Sequence, residues 1–432
     1  MQEMIERELL DSLRKHTADD KILAIRGARQ TGKSTLLNLL IENLEKEGVD
    51  TGNITYLTFE DPQILDDFVK DPRALLNSYI KEGVSARHYF LLDEVQYDKG
   101  AGKRLKLISD TMKGIKVIIT GSSSLEISQI SKFLVGRVYL YDLYGLSFGE
   151  YLRYSDERLY RIYMKANGSL KLLLEGKWKG LEIESVALSA IGKELNSYIV
   201  YGSYPEVAKH KNKEGKIEVI KNIYMTYIGK DVTSLLGITD SASFRKVLGL
   251  LSADIGSLVN YNELAKETQT YYKQLLGYIS ALEDTYITRM VRPFHKSLRT
   301  ELRKNPKIYV LDTGLRNYLI NNFNDLDKRD DSGHLVENFV FNELYRNLQP
   351  NQQLNFWRTL SKAEVDFVFT NGNLIVPIEV KFSSFRKPEV GRGMRSFIMA
   401  YSPEIAIIVT KDFTGTMRIG KTRVFFVPVA FL

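Results

Sequence analysis

The chain has 432 residues, 44% hydrophobic and 26% charged, with a net charge of +7, a globular composition with room for two or three domains. It lacks cysteine, which excludes disulfides and thiolate metal sites, and its five histidines (16, 88, 210, 295 and 334) are not at metal-ligand spacing. No apolar run approaches the roughly 18 residues that span a bilayer, and the acidic start MQEMIERELL is no signal peptide, so a cytoplasmic protein with no membrane contact is expected.

The first elements point to phosphate chemistry. KILAIRGARQTGKSTLLNLL reads as an apolar strand, a glycine loop and a helix, and residues 27–34 match G-x-x-x-x-G-K-[ST] in full. The candidate nucleotide contacts are Gly27, Ala28, Gln30, Thr31, Gly32, Lys33, Ser34 and Thr35. Glycines let backbone N–H groups wrap the phosphates, Lys33 reaches the β- and γ-phosphates of ATP, Ser34 offers a hydroxyl to Mg²⁺, and the helix adds its positive end. RHYFLLDEVQ (87–96) is a second buried strand ending in Asp93-Glu94. Asp93 suits the Mg²⁺ shell and Glu94 the general base, unless both merely cap a helix. GIKVIITGSSSLEI (114–127) is a third strand whose polar end, Thr120 and Ser122 to Ser124, can sense a γ-phosphate. Arg137 is either an arginine finger or a surface ion pair.

Residues 150–235 read as helical and irregular, a lid and connection without assigned chemistry. FRKVLGLLSADIG, NYNELAKET and YYKQLLGYISALEDT then read as three helices and YITRMVRPF as a strand, the order of a winged helix-turn-helix. Its third helix presents Tyr271, Tyr272, Lys273 and Gln274 near its start, where recognition helices meet base edges, although such modules also bind protein. GHLVENFVFNELYRN is an amphipathic helix with Glu337 in its first turns.

The stretch EVDFVFTNGNLIVPIEVKF (364–382) sets two apolar runs around Asn371-Gly372, a hairpin signal. With Thr370 opposite Asn373, Glu379 faces Glu364, Lys381 faces Lys362 and Asp366 lies diagonal to Glu379. Val365, Phe367 and Phe369 then share the other face with Ile378, Val380 and Phe382. Like charges opposite one another destabilise a sheet, so the acidic face holds a cation or a lysine, the alternative being a solvated face with Lys381 and Lys362 as counter-ions. Residues 291–432 also carry 21 Lys and Arg against 14 Asp and Glu, while the rest of the chain is balanced. DNA is the leading partner for such a region, a solubilising surface the alternative.

GARQTGKSTLL, FLLDEVQ, ITGSSS, LSFGEYL, YGSYPEV (201–207), KDV (230–232), KIYVLDTGL, VENFVFNEL and EVDFVF…PIEVK, in this order, resemble the prokaryotic AAA-type ATPases that end in a domain of unknown function. Gly145 departs from the proline usual in that family. The resemblance implies an AAA+ core with Lys33, Ser34, Asp93 and Glu94 in the roles above, Ser122 as sensor and Arg137 acting in trans within a homo-oligomer. Helical Glu, strand Asp and hairpin Glu-x-Lys further resemble the restriction-endonuclease-like PD-(D/E)xK fold. That resemblance implies Glu337, Asp366 and Glu379 as metal ligands and Lys381 beside the nucleophilic water, with Glu364 an extra acid. The expected architecture is α/β in three parts: an AAA+ P-loop domain with helical lid over 1–235, a winged helix over 236–300 and a nuclease-like domain over 301–432. Two functions stay open: a DNA-binding ATPase with a nuclease centre, and a signalling or scaffold NTPase whose last domain binds DNA or protein without cutting.

Overall fold

The computed structural model describes residues 4–81, 86–122, 124–174, 185–227, 240–295, 301 and 304–432; Ser123, the motif at 230–232 and the 235/236 boundary lie outside the described residues. The chain forms two compact units, Met1–Leu146 with Asp284–Tyr286, and Ser147–Glu283 with Ile287–Leu432.

The first unit is built on five parallel strands, β1 (Ile22–Arg26), β2 (Ile54–Thr58), β3 (His88–Asp93), β4 (Ile115–Gly121) and β5 (Val138–Asp142), in spatial order β2-β3-β4-β1-β5. β4 is buried along its whole length and β1 along all but its last residue. Such continuous apolar runs suit a parallel sheet covered on both faces. One core gathers Ala24, Phe90, Leu92, Leu105 and Ile119, the other Leu23, Ile25, Leu36, Leu40, Leu91 and Ile118. Because the strands are parallel, β1, β3 and β4 deliver Gly27, Asp93 and Ser122 to the same edge, the usual ligand edge of an open α/β sheet.

The second unit opens with the helices Phe148–Ser155, Glu157–Leu174, Ser185–Tyr201, Pro205–Lys209 and Lys213–Ile223, as the helical reading of this region predicts. Three of the sequence motifs explain themselves here. In LSFGEYL, Ser147 Oγ accepts from Glu150 N at 3.0 Å while Ser147 N donates to Glu150 Oε2 at 2.9 Å, a reciprocal cap of the helix Phe148–Ser155. YGSYPEV and KIYVLDTGL meet: buried Asp312 accepts from Ser203 N and Oγ at 2.6 and 2.8 Å and from Leu315 N at 2.7 Å. A β-carbon on Gly314 would fall 2.0 Å from Tyr201 O, so glycine is required where these segments cross. Both motifs therefore serve packing.

Three helices, Ser241–Ala253, Tyr261–Thr268 and Tyr272–Asp284, follow where the sequence predicts them. Strand β6 (Thr288–Val291) then pairs antiparallel with β7 (Lys307–Val310), and Leu258 bridges to Lys307. This ladder ties the 236–300 segment to residues beyond 301. After the helix Ser332–Arg346 comes a six-stranded sheet of β8 (Gln352–Arg358), β9 (Glu364–Asn371), β10 (Leu374–Lys381), β11 (Ile405–Thr410), β12 (Gly415–Ile419) and β13 (Thr422–Pro428), in order β12-β13-β11-β10-β9-β8.

The hairpin is present with a corrected register. Asn371 pairs with Leu374 and Phe367 with Ile378, so the turn is Gly372-Asn373, with Gly372 at φ +58°. The pairing is two residues from the expected one. An even shift leaves every side chain on its face, but continuing it sets Asp366, not Glu364, opposite Glu379. Among the described residues no helix is long and apolar enough to cross a membrane.

Candidate functional site

The nucleotide site is assembled at the carboxyl edge of the first sheet. A β-carbon on Gly27 would lie 2.1 Å from Leu143 O, so only glycine fits where the loop leaves β1. Gln30 and Gly32 take left-handed backbone (φ +62° and +91°), and Gly32 caps the helix Lys33–Lys46. Lys33, Ser34 and Thr35 form its first turn, whose N–H groups have no intrahelical acceptor and suit an anion. Thr31 Oγ1 donates to Ala28 O at 2.8 Å. Arg7, absent from the sequence reading, pins the loop by donating to Thr31 O at 2.5 Å and Tyr144 O at 2.7 Å.

Lys33 is 4% exposed, with Nζ 3.2 Å from both Gly27 O and Ala28 O and 3.5 Å from Glu94 Oε1. Burial lowers its pKa from the ordinary lysine value, opposed by the charges of Glu94 and Asp93. Asp93 Oδ2 accepts from Ser34 Oγ and from Tyr56 OH, each at 2.6 Å, and its other oxygen accepts from Thr120. Tyr56 was not legible because β2, a short run of ITYLT, is only half apolar. Glu94 sits at φ +56°, an uncommon conformation for a side-chain-bearing residue, and its N–H donates to Thr120 Oγ1 at 3.0 Å. Gln96 donates to Glu94 and, at 3.2 Å, to Ser122 Oγ. Ser34 and Asp93, hydroxyl beside carboxylate, are the hard oxygen donors that Mg²⁺ prefers, so this donor set fits the ion.

Arg137 stands elsewhere. Its Nε donates to Asp110 Oδ1 at 2.6 Å, and its carbonyl accepts from Ile22 N, where β1 begins. The phosphate loop follows the other end of β1, five residues and about 16 Å away at 3.3 Å per residue. Within its own chain Arg137 makes a surface ion pair.

In the second unit Glu364 and Asp366 of the hairpin converge with Glu337 of the helix Ser332–Arg346, but on an ammonium group. Lys307, which begins β7, is 2% exposed, and its Nζ lies 3.1 Å from Glu337 Oε1, 2.6 Å from Glu364 Oε1 and 3.8 Å from Asp366 Oδ1. Tyr309 OH donates to Glu337 at 2.6 Å, Arg358 lies 2.8 Å from Glu364, and Val380 N donates to Asp366 at 2.8 Å. Glu379 turns to Lys381, 2.9 Å away, and its second oxygen is buried without a hydrogen-bond partner. Burial, then Glu337, push the Asp366 carboxyl up to about 7. Burial acts against the charge of Lys307, yet Glu337, Asp366 and Glu364 hold its pKa above the ordinary lysine value. Among the described residues no group of three or more His, Asp or Glu side chains is disposed to hold a metal ion. Where the nuclease resemblance implies a divalent ion, the Lys307 ammonium stands among Glu337, Glu364 and Asp366, and Glu379 pairs with Lys381 instead. Nor does Lys362 close the network: it is exposed in a left-handed turn at φ +62°.

Three families match successive stretches: an AAA domain over residues 19–152, a domain of unknown function (DUF8612) over 192–326 and another (DUF4143) over 332–432. An uncharacterized protein of Haemophilus influenzae is 25% identical over 388 residues, 88% of this chain and 87% of that one. An uncharacterized protein of Methanocaldococcus jannaschii is 25% identical over 362 residues, 82% of this chain and 73% of that one. The structure of AMPPCP-bound DnaA from Aquifex aeolicus aligns with 64% of this chain and 86% of that one at 18% identity, but its TM-score of 0.26 is too low to carry an argument. With an AAA family match over the stretch that holds the full phosphate loop and the Asp93-Glu94 strand end, this chain carries an AAA-type P-loop ATPase domain.

Proposed function

We propose that this chain hydrolyses ATP with Mg²⁺ and couples the reaction to DNA binding through residues 236–432, without cutting the DNA. The observation that supports the ATPase part best is the contact of Lys33, Ser34, Asp93 and Glu94 at one sheet edge. Mg²⁺ bound at Ser34 and Asp93 would offset phosphate charge. Lys33 pairs with the β- and γ-phosphates, and Ser122 donates to the γ-phosphate. Glu94 takes a proton from the attacking water as its oxygen bonds to phosphorus and the bond to the bridging oxygen breaks, ADP leaving with the electron pair. Arg137, once released from Asp110, acts on the nucleotide of a second copy.

For the remainder, the reading is a winged helix over 236–300 and a restriction-endonuclease-like core over 301–432. Three helices, the antiparallel β6–β7 pair and the bridge at Leu258 support the first. The exposed Tyr271 and Tyr272 at the start of the third helix, with the basic excess of the last third, favour nucleic acid. Lys307 among the acids favours a binding over a cleaving role.

The test is purified chain with ATP, supercoiled plasmid and Mg²⁺ or Mn²⁺, reading phosphate release and nicking. Wild type should release phosphate without nicking, with turnover per chain rising with protein concentration if Arg137 works in trans. Lys33→Ala should lose nucleotide binding or turnover, and Glu94→Gln should bind ATP with turnover lowered about 10²- to 10⁴-fold. Glu94→Gln turnover at the wild-type rate would remove the base assignment, and nicking that Asp366→Asn abolishes would reinstate a nuclease.

A further inference from the structure

Gln96 lies two residues beyond Glu94, in the short turn Val95–Tyr97. Its Nε2 donates both to Glu94 Oε2 and, at 3.2 Å, to Ser122 Oγ at the end of β4. One amide thus spans the base carboxylate and the Ser122 hydroxyl, just past β4. Its Oε1 is buried without a hydrogen-bond partner. A β-carbon on Gly121 would lie 3.0 Å from that oxygen and 2.5 Å from Ile127, so glycine at 121 keeps the space the amide occupies.

The two oxygens of Glu94 are divided: Oε1 faces Lys33 at 3.5 Å and Oε2 faces Gln96. A γ-phosphate carries more negative charge than one carboxylate and competes for Lys33. When it wins, Oε1 loses its cation while Oε2 is still held. Ser122 accepts from Gln96, so its own hydrogen is free to be donated to a phosphate oxygen. An orphan buried carbonyl is unfavourable, which gives the amide reason to re-pair when its surroundings change.

We infer that Gln96 is the positioning residue that couples γ-phosphate recognition at Ser122 to the orientation of Glu94. It touches neither phosphorus nor the reacting oxygen. It sets the direction in which the carboxylate meets the attacking water, and it ties that direction to whether Ser122 is engaged. This role rests on the ATPase reading above.

The test uses the full chain and reads kcat, KM, nucleotide affinity and the pH profile of wild type, Gln96→Ala and Gln96→Glu. Gln96→Ala should lower kcat by about a hundredfold, the scale of a misdirected catalytic group, with nucleotide affinity unchanged. Gln96→Glu keeps the shape but places a second carboxylate against Glu94. Like charges raise each other's pKa, so the acid limb of its kcat profile should move to higher pH if Glu94 is the base that position 96 faces. Should Gln96→Ala fail to fold, the Gln96→Glu profile decides alone. Wild-type kcat in Gln96→Ala, an unshifted limb in Gln96→Glu, or nucleotide affinity falling in step with kcat overturns the coupling role. A wild-type chain without turnover removes the ATPase reading and this one together, whereas turnover that Lys33→Ala abolishes and Gln96→Ala leaves intact removes this one alone.

Discussion

Lys33 is buried and Asp366 half-buried, and burial disfavours the charged form of each. Lys33 is ringed by two carbonyls and a carboxylate, the environment in which an ammonium tolerates burial. Asp366 accepts one backbone N–H and stands 3.8 Å from Lys307, but burial and then the neighbouring Glu337 outweigh both, so its proton is held up to about pH 7. An unfolded aspartate titrates near 3.9. Between those values the folded chain binds more protons than the unfolded one, so this group makes stability fall as pH rises from about 4 to about 7 and adds no further slope above. The neutral, isosteric Asp366→Asn should therefore raise the melting temperature at pH 8 relative to wild type and flatten the melting-temperature curve between about pH 4 and 7. Thermal melts across that range check it. An Asp366→Asn melt lower than wild type at pH 8 would mean that the ionised carboxylate is a net stabilising partner of Lys307.

At the scale of elements, the hairpin and the phosphate loop were legible for the same reason: each is a local pattern whose geometry follows from a few adjacent residues. The glycine loop needs Gly27 and Gly32 where they stand, and apolar alternation in β9 and β10 assigns faces even though the turn was placed one residue early. What closes the acid cluster was illegible because it is non-local. Lys307 heads KIYV, a strand otherwise apolar, and nothing near it in sequence says that Glu337, Glu364 and Asp366 will meet it. The charge argument was sound, since one lysine cannot balance the acids, but a second lysine and Arg358 supply what a divalent ion was expected to supply. Lys307→Met should then be severe, by about 3–5 kcal/mol in urea unfolding, because it strands buried carboxylates. Lys307→Ala, which leaves room beside three oxygen ligands, should gain Mn²⁺-dependent thermal stabilisation that wild type lacks and that adding Asp366→Asn cancels. If wild type without nucleotide is itself stabilised by Mn²⁺ in an Asp366-dependent way, the ammonium does not occupy the cation's place.

Across the whole molecule, charge and chemistry are segregated. The ATPase site belongs wholly to the first compact unit, and the basic excess lies in residues 291–432 of the second. Residues 1–290 are electrically balanced, so long-range attraction for a polyanion comes from the last third. Because most of the 236–300 segment shares a compact unit with residues 147–235 and 301–432, binding is best measured on the full chain. DNA binding that rests on phosphate contacts releases counterions, so a plot of log affinity against log salt should fall with a slope of about −0.9 for each phosphate neutralised. Tyr271 is 84% exposed and Tyr272 50%, beside Lys273, at the start of the third helix of the trio. The tyrosines carry no charge and Lys273 does, which separates their effects. Lys273→Ala should weaken binding to every sequence alike and make the slope shallower by about 1. Tyr271→Ala with Tyr272→Ala should weaken binding without changing the slope, since stacking and packing on bases release no counterions. Fluorescence anisotropy with a labelled duplex from about 50 to 200 mM salt resolves both. A flat salt plot for wild type would remove phosphate-driven DNA binding and leave the basic face as a solubilising surface. An unchanged slope in Lys273→Ala, with wild type steep, would move the contact away from this helix.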